Sequence, residues 1–95
     1  MKNKVLLAAQ VVQFIQRQPP ATRKQLRAAL HAIENGEVFP EPLEDDLEGF
    51  YKFKVDRIRL ILQSEPGESG PVFKVIFAER RKVVYELFSQ ILGLE

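Results

Sequence analysis

Residues 49–63 read GFYKFKVDRIRLILQ and residues 72–88 read VFKVIFAERRKVVYELF, and these two stretches decide the fold. In the first stretch basic and apolar side chains alternate, and successive side chains of a strand lie on opposite faces of a sheet. Lys52 and Lys54 therefore share one face, opposite a row of apolar side chains. A row of cations is costly unless an anion binds there, so the pattern indicates a surface for phosphate and favours RNA.

The two stretches predict a meander of three antiparallel strands. Runs rich in β-branched and aromatic residues lie at positions 50–55, 58–63 and 72–78. The first two runs are separated only by Asp56-Arg57, which predicts a tight turn. The last two are separated by the turn-rich sequence SEPGESGP.

Alternation also assigns the faces of the other strands. On the second strand Arg59 points away from the core, which takes Ile58, Leu60 and Leu62. The third strand is expected to carry one apolar row of Phe73, Val75 and Phe77. Arg80, Arg81 and Lys82 then leave the sheet, and Tyr85 follows within a turn. If the strands are neighbours in chain order, five side chains converge on one concave surface: Lys52, Lys54, Arg59, Arg81 and Tyr85.

The first third of the chain predicts a strand and a helical hairpin. A strand is expected over residues 4–8, and a helix from Ala9 to the bend at Pro19-Pro20. Thr22 and Gln25 have the spacing of a capping box for the next helix. Its buried stripe is Leu26, Ala29, Leu30 and Ile33, and it ends at Asn35-Gly36. An acidic connector (36–49) and a short last helix (83–92) complete an α+β fold.

Composition limits the classes of function. Ninety-five residues with 45% apolar side chains suit one domain over residues 1–95. The chain has no cysteine and one histidine, which predicts neither a disulfide nor a metal site. No cofactor is expected. No apolar run is long enough to cross a membrane, and glutamines interrupt the N-terminal run, so we expect no signal peptide and a cytoplasmic protein.

The net charge of +1 hides three blocks of opposite sign. Residues 1–35 hold six basic side chains and one acidic side chain. Residues 36–50 hold six acidic side chains and no basic one, and residues 51–82 hold eight basic and four acidic side chains. The acidic block is interpreted as a solvated connector that could also shield the basic surface.

In order, spacing and length, nearly the whole chain resembles the RelE/ParE superfamily of toxins from bacterial toxin–antitoxin systems. The matching features are an N-terminal strand, a helical hairpin broken near Pro-Pro, an acidic connector and strands with alternating basic residues. The matching residues are Gly49-Phe50-Tyr51-Lys52-Phe53-Lys54-Val55, then Arg59, then Arg81-Lys82-Val83-Val84-Tyr85. The resemblance implies a compact, single RelE-like domain.

The resemblance also implies an activity. The basic residues and the tyrosine favour the RelE-like branch, whose members are ribosome-dependent endoribonucleases that cut mRNA in the ribosomal A site and inhibit translation. The implied catalytic residues are Lys52, Lys54, Arg59, Arg81 and Tyr85, and the implied RNA-binding residues are Arg57, Arg80 and Lys82. Cleavage would use the neighbouring 2′-OH of the RNA as nucleophile and need no metal.

Other interpretations remain open at this point. The chain could be a ParE-like inhibitor of DNA gyrase, or a relative without catalysis that acts only by binding. The two lysines could lie on the solvated face of an edge strand. The segment 80–82 could be an exposed turn, and Tyr85 could be a core aromatic beside Phe88. Either toxin class implies a cognate antitoxin in a hetero-oligomer, with the stretch 83–94 and the helical hairpin as expected contact surfaces.

Overall fold

A strand, two helices, four further strands and a last helix follow one another along residues 3–93, which are the residues that the computed structural model describes. A 3₁₀ turn, Asp45–Leu47, lies between the second and third strands. The bounds of the other elements are β1 Lys4–Leu7, α1 Ala9–Gln16, α2 Pro20–Glu34, β2 Glu41–Pro42, β3 Tyr51–Val55, β4 Ile58–Glu65, β5 Val72–Arg80 and α3 Val84–Leu92. The α+β class is confirmed, as are the predicted helices and strands apart from small differences in their ends.

Helix α2 begins three residues earlier than the predicted capping box allows. Pro19 is its N-cap and Pro20 its first residue. Proline suits the first position of a helix, because the backbone N–H there has no partner within the helix and the φ of proline is already helical. No side chain caps the helix, and Thr22 lies inside it, so the predicted capping box is wrong. The predicted end is confirmed: Asn35 is the C-cap, and Gly36 follows with a φ of +74°.

The five strands form one sheet in the order β1-β5-β4-β3-β2. β3, β4 and β5 are the predicted antiparallel meander, and β1 is added parallel to β5. The connector is more ordered than predicted, because Glu41–Pro42 pairs with β3 and sets Glu41 opposite Lys52. Proline suits this place, since an outer strand can spare one backbone donor.

The main core lies between the sheet and the helical hairpin. Leu26 and Ile33 of α2 are fully buried, which confirms two positions of the predicted stripe, and Ala29 and Leu30 pack against the same core. The sheet contributes fully buried side chains from its two central strands: Leu60, Leu62 and Val75. We call this side of the sheet the hairpin face.

A β-bulge in β5 changes the faces that alternation predicts. Leu62 pairs with Val75 but Ile61 pairs with Phe77, so Ile76 is the extra residue of β5. Phe77 therefore leaves the hairpin face, where Phe73 and Val75 remain. The predicted single row of Phe73, Val75 and Phe77 is wrong for this reason.

Helix α3 covers part of the opposite face and forms a second, smaller core. Val84 and Phe88 are buried there against Ile61 and Phe77. The Phe88 ring contacts the Phe50 ring edge to face, with centroids 5.0 Å apart. The bulge places Phe77 on this face beside Ile61, and so enlarges the apolar surface on which α3 packs.

Candidate functional site

Three of the predicted site residues lie on the sheet face opposite the hairpin. Lys54 pairs with Arg59 across β3 and β4, and directly paired residues project from the same face with Cβ atoms about 4.5–5.5 Å apart. Lys52 lies two residues from Lys54 on the same strand and therefore on the same face. We call the surface formed by Lys52, Lys54 and Arg59 the lysine face.

The guanidinium of Arg59 is held by the turn between β3 and β4. Its Nη1 donates to the carbonyl oxygens of Asp56 at 2.8 Å and Ile58 at 3.0 Å. Asp56 has a φ of +54°, a conformation that aspartate tolerates in tight turns. The Nε and Nη2 donors of Arg59 lie outside these two bonds and can form the fork that suits phosphate oxygens.

Two carboxylates border the lysine face. The Oε2 atom of Glu41 lies 4.0 Å from the Nζ atom of Lys52. Glu79 pairs with Arg59 across β4 and β5, because the bulge at Ile76 shifts the faces of β5. Glu79 accepts a hydrogen bond from the Arg80 backbone N–H at 2.9 Å. The acidic connector thus contacts the basic surface directly, at Lys52.

Arg57 and Arg81 lie together at the end of the sheet. The Arg81 N–H donates to the Arg57 carbonyl oxygen at 2.8 Å and so extends the pairing of β4 with β5 by one step. Arg80 is the last residue of β5, opposite Ile58, so the expectation that it leaves the sheet is wrong. Arg81 and Lys82 do follow the strand, and both are exposed.

Tyr85 lies on α3. This helix packs on the same side of the sheet as the lysine face and covers the part of that side that the lysine face does not occupy. Tyr85 is half-buried and packs against the second core, which contains Phe88. The structure thus places Lys52, Lys54 and Arg59 on one sheet surface, Tyr85 on the helix packed on that surface, and Arg81 at the end of the strands.

A cleft of about 810 Å³ lies where α1 ends beside the end of β5. Its lining combines one end of the helical hairpin with the segments around Arg57 and Arg81. We call it the α1–β5 cleft, and its residues are Phe14, Arg17, Gln18, Arg57, Glu79, Arg80, Arg81, Lys82 and Val83. Five of these side chains are basic and one is acidic. The three predicted RNA-binding residues all line it.

No pattern in the sequence indicated that Arg17 or Phe14 belongs to this cleft. Both come from α1, which is far from Arg80 along the chain. The excess of basic residues in the first 35 positions was visible, but their position beside β5 depends on the parallel pairing of β1 with β5.

Gln10 fixes α1 against β5. Within residues 3–93, no strand lies beside β5 beyond Val75 on the side of β1, since β1 ends at Leu7. There the Gln10 side chain replaces a strand: its Nε2 donates to the Ala78 carbonyl oxygen and its Oε1 accepts from the Ala78 N–H, both at 2.9 Å. Along α1 and its C-cap, Arg17 lies about 10 Å from Gln10, and along β5 and the residue after it Arg81 lies about as far from Ala78. The contact between Gln10 and Ala78 therefore sets Arg17 and Arg81 at similar distances from one fixed point.

Two further properties concern bound ions and membranes. Within residues 3–93, no three histidine, aspartate or glutamate side chains are grouped so that they could hold a metal ion. None of the helices in the same residues combines the length and the apolarity that crossing a bilayer requires.

The fold is that of known toxins. The chain matches a chain of the toxin–antitoxin complex RelBE2 from Mycobacterium tuberculosis with a TM-score of 0.67 at 12% identity, over 85% of this chain and 93% of that one. It matches the YoeB/ParE toxin from Agrobacterium tumefaciens with a TM-score of 0.61 at 17% identity, over 82% and 98%. It also matches a chain of the RelB–RelE antitoxin–toxin complex from Methanococcus jannaschii with a TM-score of 0.58 at 17% identity, over 87% and 98%.

Sequence comparison adds no closer relative. No sequence profile of a known protein family matches the chain, and no curated protein sequence matches it either. The predicted RelE-like fold is therefore confirmed by structural similarity, at identities of 12–17%.

Proposed function

We propose that this chain is the toxin of a toxin–antitoxin pair and that it cleaves mRNA at the ribosome, in the cytoplasm. The observation that carries the proposal is the strand register that sets Lys54 opposite Arg59 on one face of a RelE-like fold. Lys52 lies on that face too, and Arg81 lies at its end.

The chemistry of RNA cleavage explains the need for this set of side chains. The 2′-oxygen attacks the adjacent phosphorus, so a 2′-O–P bond forms as the P–O5′ bond breaks. The 2′-OH gives its proton to a base, and the leaving 5′-oxygen takes up a proton. The products are a 2′,3′-cyclic phosphate and a 5′-hydroxyl end. Cations beside the phosphoryl oxygens stabilise the negative charge that grows in the transition state.

Each residue has a proposed part in this reaction. Lys52 or Lys54 accepts the 2′-OH proton. Arg59 and Arg81 hold the scissile phosphate, since arginine stays charged and its planar fork fits two phosphate oxygens. Tyr85 stacks on a base or passes a proton. The hydrogen bonds from Arg59 to the turn carbonyls support its role, because they fix the guanidinium before RNA arrives.

The experiment is primer extension on a reporter mRNA in a purified translation system, with and without ribosomes. We expect cuts only when ribosomes are present, and their loss in Arg81→Ala. The matched control is Arg27→Ala, which removes an exposed cation from α2, away from the lysine face. If Arg81→Ala cuts as fast as the parent, the assigned site is wrong. If the parent makes no cuts, the ribonuclease proposal fails, and a gyrase supercoiling assay then tests inhibition of gyrase.

A cognate antitoxin is the proposed partner. The similar RelBE2 and RelB–RelE structures are toxin–antitoxin complexes. Helix α3 supports a contact surface here, because Ile91 is 64% exposed and Leu92 40% exposed. The expected surface extends to Leu94, which lies outside the described residues. Expression of the chain with its neighbouring genes should yield a hetero-oligomer with a small protein. Purification of the chain alone from that operon would contradict this.

A further inference from the structure

We propose that the α1–β5 cleft holds the sugar–phosphate backbone of single-stranded RNA beside the lysine face, with Arg17 as a phosphate-binding residue. This inference rests on the proposed ribonuclease function and extends its substrate site onto the helical hairpin. Arg17 belongs to no part of the site that the sequence predicts.

The charges of the cleft call for an anion. Its five basic side chains come from three separate segments: the end of α1, the turn between β3 and β4, and the junction of β5 with α3. Within residues 3–93, none of the five lies within 4.0 Å of a carboxylate oxygen, whereas Lys52 and Lys74 both have such a partner. Five cations facing one carboxylate, Glu79, leave an excess of positive charge that repels itself, and a phosphate backbone removes that cost.

The helical wall of the cleft suits RNA better than an acidic peptide. Phe14 is half-buried and presents an aromatic side chain to the cleft, and bases stack on aromatic rings whatever their sequence. Gln18 donates its Nε2 to the Phe14 carbonyl oxygen at 3.1 Å, which leaves its Oε1 as an acceptor for a base or a 2′-OH. An acidic peptide would use the cations but not the ring.

The cleft continues the lysine face. Arg57 and Arg81, which line the cleft, are joined by a 2.8 Å backbone hydrogen bond one step beyond Arg80 and Ile58. Arg59 lies two residues from Arg57, at the edge of the lysine face. A single-stranded RNA whose scissile phosphate lies at Arg59 can therefore pass over Arg57 and Arg81 and place a phosphate further along its backbone at Arg17.

The test measures RNA binding apart from cleavage. A fluorescent 12-nucleotide RNA with 2′-O-methyl sugars lacks the nucleophile, so its anisotropy reports binding alone, and it is titrated with free protein at several KCl concentrations. Arg17→Ala should weaken binding roughly tenfold or more, because a hydrogen bond between charged groups is lost. The slope of log K against log salt should fall by about 0.7, the value for one phosphate contact on a single strand. Arg27→Ala should leave both quantities unchanged, and circular dichroism checks that each variant is folded.

Three results would overturn the inference. Arg17→Ala could match the parent in RNA affinity and in salt slope. Alternatively, Arg27→Ala could lose as much RNA affinity as Arg17→Ala does. An oligoglutamate peptide of equal charge could bind the parent as tightly as the RNA and depend equally on Arg17, which would assign the cleft to an acidic protein segment.

Failure of this inference is distinguishable from failure of the proposed function. Ribosome-dependent cuts by the parent, together with unchanged RNA binding by Arg17→Ala, would remove the cleft and keep the ribonuclease. Absence of cuts, together with the expected loss of binding and slope, would keep the cleft as an RNA site and remove the ribonuclease.

Discussion

Replacing Gln10 by alanine removes the side chain that joins α1 to β5. Two hydrogen bonds to Ala78 are lost, and no strand in the described part of the chain lies where it could replace them. Ala78 has 0% exposure, and a backbone group left without a partner in such a place costs about 1–3 kcal/mol. Gln10 itself is half-exposed, so water can reach part of the vacated space. We therefore expect the two unpaired groups together to lower the free energy of unfolding by about 2–3 kcal/mol.

The assay is urea unfolding followed by circular dichroism, with a thermal melt beside it. A loss of this size is a large part of the roughly 5–15 kcal/mol that stabilises a typical domain. It should lower the melting temperature by roughly 10–20 °C, with the urea m-value unchanged. Gln10→Glu keeps the acceptor for the Ala78 N–H but sets a carboxylate oxygen against the Ala78 carbonyl, so it should not restore stability.

Gln13→Ala is the matched control, since Gln13 is exposed on the same helix. Alanine favours helix slightly more than glutamine, so this variant should be as stable as the parent or slightly more stable. If Gln10→Ala lies within about 0.5 kcal/mol of the parent, the side chain does not act in place of a strand. The account of how α1 is positioned beside β5 would then be refuted.

Two further perturbations test the other side of the sheet. Phe88→Ala should lower the free energy of unfolding by about 3–4 kcal/mol and expose α3 to limited proteolysis. The reason is that the Phe88 ring centroid lies 5.8 Å from that of Phe77 and 5.0 Å from that of Phe50. A loss of free energy below about 1 kcal/mol would show that α3 is held by other contacts. Glu41→Gln removes the carboxylate 4.0 Å from the Lys52 ammonium, with less than about 0.5 kcal/mol effect on stability. It should tighten RNA binding about two- to fivefold at low salt and not at high salt; equal affinities at low salt would show that Glu41 does not shield Lys52.

Most of the secondary structure could be predicted from local patterns. The alternation of Lys52 and Lys54 with apolar residues defined β3, and the Pro19-Pro20 bend separated the helices. These features depend on a few neighbouring residues, through side-chain periodicity and the fixed φ of proline. The capping box failed because Pro20 at the first helical position started the helix before Thr22 could cap it.

The sequence by itself determined which residues form the strands and helices, and that Lys52, Lys54 and Arg59 leave the main core, because alternation within a strand is a local property. Only the tertiary structure decided what lies beside them. The bulge at Ile76 moved Phe77 and Glu79 to the other face, since an extra residue in one strand shows only against its partner. The parallel pairing of β1 with β5 likewise brought Arg17 to the end of the sheet, a contact between distant parts of the chain that no local pattern encodes.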